Sequence, residues 1–250
     1  MWKELEYYKE YQNKLRAYVG KDKANEILSE ALYLMSLGTN DFLENYYLSP
    51  KRQSQFTIQQ YEDFLIGLAE NFIRELYSLG VQKISLTGLP PMGCLPLERT
   101  INILGQNKCV KKYSNVVLEF NGTLNDVVKR LIKELPGLRL LFADAYKILD
   151  QIIKKPSLYG FDVVGKACCS TGKFQLSYLC NELSPFTCSD ANKYVFWDAF
   201  HPTEKTNHII VNSFLDKLLA YFRGLLSSKN NMMAFFIYLF GFRFCPYSVI

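Results

Sequence analysis

Apolar residues recur at helical spacing in the first twenty positions, where Trp2, Leu5, Tyr8, Leu15 and Val19 punctuate a charged run and predict an amphipathic helix. A second helical stretch over 21–30 leads into ALYLMSL, an apolar run that stops at GTND and reads as a buried parallel strand. In TIQQYEDFLIGLAENFIRELYSLG, Tyr61, Phe64, Leu65, Leu68, Phe72, Leu76 and Leu79 form one helical face, closed by Gly80. VQKISLTG is then a short strand, followed by the loop LPPMGCLPLERTINILGQNKC. A long helix over about 113–135 turns Val116, Val117, Phe120, Leu124, Val127, Leu131 and Leu135 inward. PGLRLLFAD supplies a third strand, and helices are predicted over about 145–155 and 202–222.

Helix alternating with buried strand predicts an α/β protein, with a parallel sheet covered by helices on both faces. No composition shift divides residues 1–226, which read as one domain; 227–250 form an atypical hydrophobic tail. The tail's apolar run, 232–242, is shorter than the about 20 residues that span a bilayer. It continues no pattern before it and reads as an extension foreign to the fold. In parallel sheets chemistry gathers at the carboxyl ends of the strands, which is where GTND and GLPPMG stand.

A chain that is 49% hydrophobic has the apolar content for one sizeable core. Its net charge of +5 is scattered rather than massed, so a solvated surface, not a nucleic-acid partner, is expected. Six of the seven cysteines fall into two groups, 94 with 109 and the four from 168 to 188, which suggests locally stapled loops and an oxidising compartment. A zinc site fits less well, because no CxxC pair occurs and vicinal Cys168 and Cys169 ligate one ion with difficulty. The N-terminus nevertheless lacks the basic start and apolar run of a secretory leader.

Candidate chemistry centres on DAFH. A spacing of three lets the Asp198 carboxylate accept from Nδ1 of His201, leaving the other ring nitrogen as a base. Pro202 suits the first position of the helix that follows. The competing reading is a capping Asp beside a packed His. In GTND, Gly38 allows a sharp turn and Asn40 offers an uncharged donor suited to a developing oxyanion, although the same residues make ordinary turns. GLPPMG is no phosphate loop, since Pro90 and Pro91 lack N–H groups; Leu89 and Met92 either line a site rim or pack. His208 has no acid three positions before it and takes a surface or packing role.

In this order, GTNDF, SLTGLPPMGCLP, YSNVVLEFN, YGF, ACCSTG, CSD and YVFWDAFHPTEKTN resemble the plant GDSL esterase/lipase family of SGNH hydrolases, over about 2–226. The resemblance implies a three-layer α/β/α, flavodoxin-like fold with a parallel sheet. It implies a secreted, monomeric enzyme without metal or cofactor that hydrolyses lipid or cell-wall and cuticle acyl esters through a serine acyl-enzyme. His201 would be the base, Asp198 its orienting acid and Asn40 an oxyanion donor, with Gly38 supporting it. No nucleic-acid partner and no stable membrane span are implied.

The family's Gly-Asp-Ser-Leu block and its second oxyanion block do not occur, nor does a GxSxG elbow. Ser36 reads as a packing residue of its strand, and Ser170 stands where the family commonly has Gly, so neither is taken as a nucleophile. The expectation is an N-terminally truncated chain lacking the first two strands, with ALYLMSL left as an uncovered, aggregation-prone edge and with negligible activity. The alternatives are a non-catalytic binding or regulatory protein, or a partial gene model.

Overall fold

The computed structural model describes residues 2–36, 38–106, 108–169, 180, 184, 187–223 and 234–236. Ser170 and the tail beyond 236, with Cys245, lie outside the described residues. The elements are α1 (Trp2–Val19), α2 (Lys21–Glu30), β1 (Leu32–Ser36), a π-helical turn (Asp41–Tyr47), α3 (Pro50–Gln55), α4 (Ile58–Ser78) and β2 (Lys83–Thr87). They continue with α5 (Pro96–Ile101), α6 (Lys111–Glu134), β3 (Arg139–Ala143), α7 (Ala145–Lys154), β4 (Val163–Ala167), β5 (Tyr194–Phe196), α8 (Glu204–Arg223) and β6 (Ala234–Phe236). Contacts group the chain into two compact units.

The first unit comprises the described residues of Met1–Gly88, Phe120–Ala143 and Asp216–Phe240. Its sheet has the order β3-β2-β1-β6, with every pair parallel. Tyr33, Met35, Ile84 and Leu86 are all buried, and β2 is buried on both faces through its first four residues, so that Lys83 and Ser85 are buried along with Ile84 and Leu86. α4 starts at a capping box, in which Thr57 and Gln60 each satisfy the other's backbone N–H. Its inner face buries Tyr61, Leu65, Phe72, Ile73 and Leu76, and each such aliphatic side chain contributes about 1.5–3 kcal/mol. α1 contributes Tyr8, whose hydroxyl lies 2.7 Å from that of Tyr33. Lys83 is buried in β2, and its amine is met by the Glu30 carboxylate at 2.7 Å.

Two expectations fail in this sheet. β1 is not an open edge, because Ala234–Phe236 of the tail run parallel to it, with Leu32 opposite Ala234 and Leu34 opposite Phe236. An apolar segment without periodicity can still offer a backbone ladder, and here that ladder runs along Leu32–Leu34 of β1. Ser36, at the last position of β1, is exposed rather than packed. Deleting residues 227–250 should restore the edge and raise the aggregated fraction several-fold at equal concentration, read by light scattering. An unchanged scattering profile would mean that β6 does not protect it.

Among the described residues the second unit comprises those of Leu89–Glu119 and Asp144–Leu215. β4 and β5 form a two-stranded parallel sheet that the sequence pattern did not reveal. The cysteines pair within their groups as Cys94–Cys109, Cys168–Cys188 and Cys169–Cys180. At the base of the first loop the Val110 N–H donates to the Gly93 carbonyl at 2.7 Å. A side chain at Gly93 would sit 2.2 Å from the Val110 oxygen, so this closure requires glycine. Leu89 and Met92 are buried, which makes GLPPMG a packed segment. Asn121, in the sole glycosylation sequon, is buried within α6.

Candidate active site

Asp198 and His201 sit on the turn between β5 and α8, and that turn is held from several sides. Cys168 and Cys169 donate their N–H groups to the carbonyls of Phe196 and Trp197, at 2.9 and 2.7 Å. The Trp197 N–H donates to the His201 carbonyl at 2.8 Å, and Phe196 bridges antiparallel to Pro202. Pro202 is therefore not the first helical residue. α8 begins at Glu204, and Thr203 precedes it, with its hydroxyl oxygen accepting from the Thr206 N–H at 3.3 Å. Thr203 and Thr206 also donate their hydroxyls to the carbonyls of Tyr194 and Val195, at 2.9 and 2.8 Å, anchoring the start of α8 to β5.

Within this frame Asp198 uses both carboxylate oxygens. Oδ1 accepts from the backbone N–H of Phe200 at 2.9 Å and of His201 at 2.7 Å, which folds the turn. Oδ2 meets Nδ1 of His201 at 2.6 Å. An ionised carboxylate can only accept, so Nδ1 carries the proton and Nε2 becomes the basic atom of the ring. The Asp198 side chain is 11% exposed and that of His201 43%, so the acid is fixed inside while the imidazole reaches the surface. His208 lies out on α8 within 3.5 Å of Glu204, both side chains being largely exposed.

Gly38 and Asn40 belong to the first unit, on the turn after β1. Gly38 has φ +107°, a conformation open to glycine and costly for other residues, and its carbonyl accepts from the Phe42 N–H at 3.1 Å. Asn40 stands at the mouth of the π-helical turn and makes no side-chain capping bond to it, so its amide is not consumed by the helix start. Next to it, burial pushes the Asp41 carboxyl up from its ordinary value.

Sequence reasoning missed α5. The Leu97 N–H donates to the Ala199 carbonyl at 3.3 Å, between Asp198 and His201 in the chain. The neighbouring Glu98 is only 5% exposed, and burial pushes its carboxyl up to about 7. Pro96 as a helix start was the one local signal for this element.

The sequence profile of the GDSL-like lipase/acylhydrolase family matches residues 4–214. The chain belongs to this family. GDSL esterase/lipase At2g04570 of Arabidopsis thaliana is 53% identical over 222 residues, covering 89% of this chain and 63% of the relative. GDSL esterase/lipase At4g26790 of the same plant is 52% identical over 223 residues, covering 89% and 64%. A third Arabidopsis thaliana relative, GDSL esterase/lipase At2g42990, is 51% identical, with 87% and 62% covered. This member of the GDSL family thus spans less than two thirds of the length of these relatives. Its parallel strands and flanking helices agree with the α/β architecture expected. No helix among the described residues is long and apolar enough to cross a membrane.

Proposed function

We propose that the chain supplies the acid, the base and an oxyanion donor of a carboxylic ester hydrolase acting on lipid or cell-wall acyl esters. The observation that carries this reading is the Asp198–His201 pair, with Nδ1 held at 2.6 Å and the imidazole partly exposed. In this mechanism Nε2 removes the proton of a serine hydroxyl as its oxygen attacks the ester carbonyl. The imidazolium formed, stabilised by Asp198, returns that proton to the departing alkoxide and leaves an acyl-enzyme. Water activated at the same nitrogen then cleaves the acyl group. Asn40, supported by the Gly38 turn, is the donor for the oxyanion of each tetrahedral intermediate. No residue of the 250 is assigned as the attacking serine.

Three disulfides suit an oxidising compartment, which supports secretion, and residues 1–226 are read as one partial domain of an enzyme that is a monomer in its full-length form. A ligand-binding protein without turnover is the second reading, favoured by the lack of a Gly-Asp-Ser sequence among these residues. A chimera separates the two: the part of GDSL esterase/lipase At2g04570 that precedes the matched region is fused ahead of Trp2. The chimera is expected to hydrolyse p-nitrophenyl butyrate, and Asn40→Ala to lower its kcat about 10²- to 10³-fold with KM little changed. A folded chimera that binds the ester and does not turn it over would favour the second reading.

A further inference from the structure

The loop closed by Cys94–Cys109 presents an apolar tip to solvent: Ile101 is 50% exposed, Ile103 71% and Leu104 101%. Single exposed aliphatic residues are common, but three within four positions on a rigid support are not explained by leftover surface. The support is a hydrogen-bonded turn. Gly105 and Gln106 donate their N–H groups to the carbonyls of Asn102 and Ile103 at 3.1 and 3.0 Å, and the Asn102 amide donates to the Lys108 carbonyl at 2.9 Å. Gln106 accepts a φ of +55° to complete it. These bonds hold the backbone of the tip in the form that leaves Ile103 and Leu104 exposed.

Charge defines what the tip meets. Lys108, Lys111 and Lys112 are exposed beside it, and residues 101–112 contain no Asp or Glu. Leu118, 51% exposed, shares a face of α6 with Lys111. Aliphatic side chains that enter an acyl region, with lysines at headgroup level, are the composition of an interfacial anchor for anionic lipid. We propose that this disulfide-closed loop docks the protein onto an anionic lipid surface through Ile101, Ile103 and Leu104, with the three lysines engaging the headgroups. The Leu97 N–H ties the same loop to the Ala199 carbonyl, so docking brings the turn that bears Asp198 and His201 to a source of acyl esters. The anchor stands independently of the esterase reading, since binding is measured without turnover.

The test is co-sedimentation of the 250-residue chain with phosphatidylcholine vesicles, with and without phosphatidylserine. Binding is expected only to the anionic vesicles and should weaken as salt rises. The Ile103→Ser/Leu104→Ser variant should lose at least about tenfold in partition, and Lys111→Glu/Lys112→Glu a similar factor at low salt, both with unchanged melting temperature. In a Leu104→Trp variant, brominated acyl chains should quench the added indole fluorescence. Undiminished binding by the Ser variant would overturn the proposal and shift the contact to the apolar tail. Equal binding to neutral vesicles, or tip-dependent self-association without vesicle binding, would overturn it as well.

Discussion

Asp198→Asn in the active chimera is expected to lower kcat on the order of 10⁴-fold while leaving KM and the melting temperature close to those of the parent. The reason is the division of labour between the two carboxylate oxygens. An asparagine carbonyl can still accept from the N–H groups of Phe200 and His201, now at 2.9 and 2.7 Å from Oδ1, so the turn survives. Its amide nitrogen then faces Nδ1 of His201 as a donor, where Oδ2 was an acceptor. The ring proton must move to Nε2, and the atom that should accept a proton from the nucleophile already carries one. Asp198→Ala should be equally inactive but also less stable, because two backbone donors lose their partner in a largely buried turn. Ester hydrolysis rates and thermal melts of the three proteins decide the matter. An Asn variant within about tenfold of the parent would mean that the Asp198 charge and the tautomer it selects are not what His201 needs.

Much of the first unit was legible because it is periodic. The inner face of α4 and the apolar runs of β1 and β3 announce themselves through their side chains, which burial in a core imposes. β4 and β5 did not, since VVGKA carries a glycine and a lysine and Tyr194–Phe196 is three residues long; a parallel pair between them is a long-range event. β6 is a similar case, where backbone pairing rather than side-chain pattern selects the partner. The start of α8 was misread by two residues because Pro202 and Thr203 both favour helix starts, and the bridge between Phe196 and Pro202 assigns the cap to threonine. The spacing of Asp198 and His201 made their contact legible. The second duty of Asp198, folding the turn through Oδ1, depends on backbone direction and was not.

The stability of the chain should fall as pH rises from about 4.5 to about 7, and Glu98→Gln should remove most of that slope. Glu98 is 5% exposed in α5, and burial alone raises its carboxyl to about 7 from the ordinary 4.5. Below the ordinary value the group is protonated in both the folded and unfolded chain and costs nothing. Between the two values the unfolded chain releases the proton while the folded chain keeps it, so stability declines; above the folded value the loss levels off at about 3 kcal/mol. Tyr113, whose hydroxyl is pushed up first by its own burial and further by the Glu98 charge, is an adjacent group that senses this ionisation. Glutamine keeps the shape and removes the charge. The variant should therefore match the parent at pH 4 and exceed it by about 3 kcal/mol at pH 8, a contrast of roughly a hundredfold in the unfolding constant. Urea unfolding at a series of pH values, with the disulfides intact, measures it directly. The consequence reaches the candidate site, because Leu97, the residue before Glu98, holds the Ala199 carbonyl. A parent whose stability is flat across this range, or a glutamine variant that keeps the slope, would show that the carboxyl finds water or a partner when it ionises. The turn bearing His201 would then be insulated from the charge in α5.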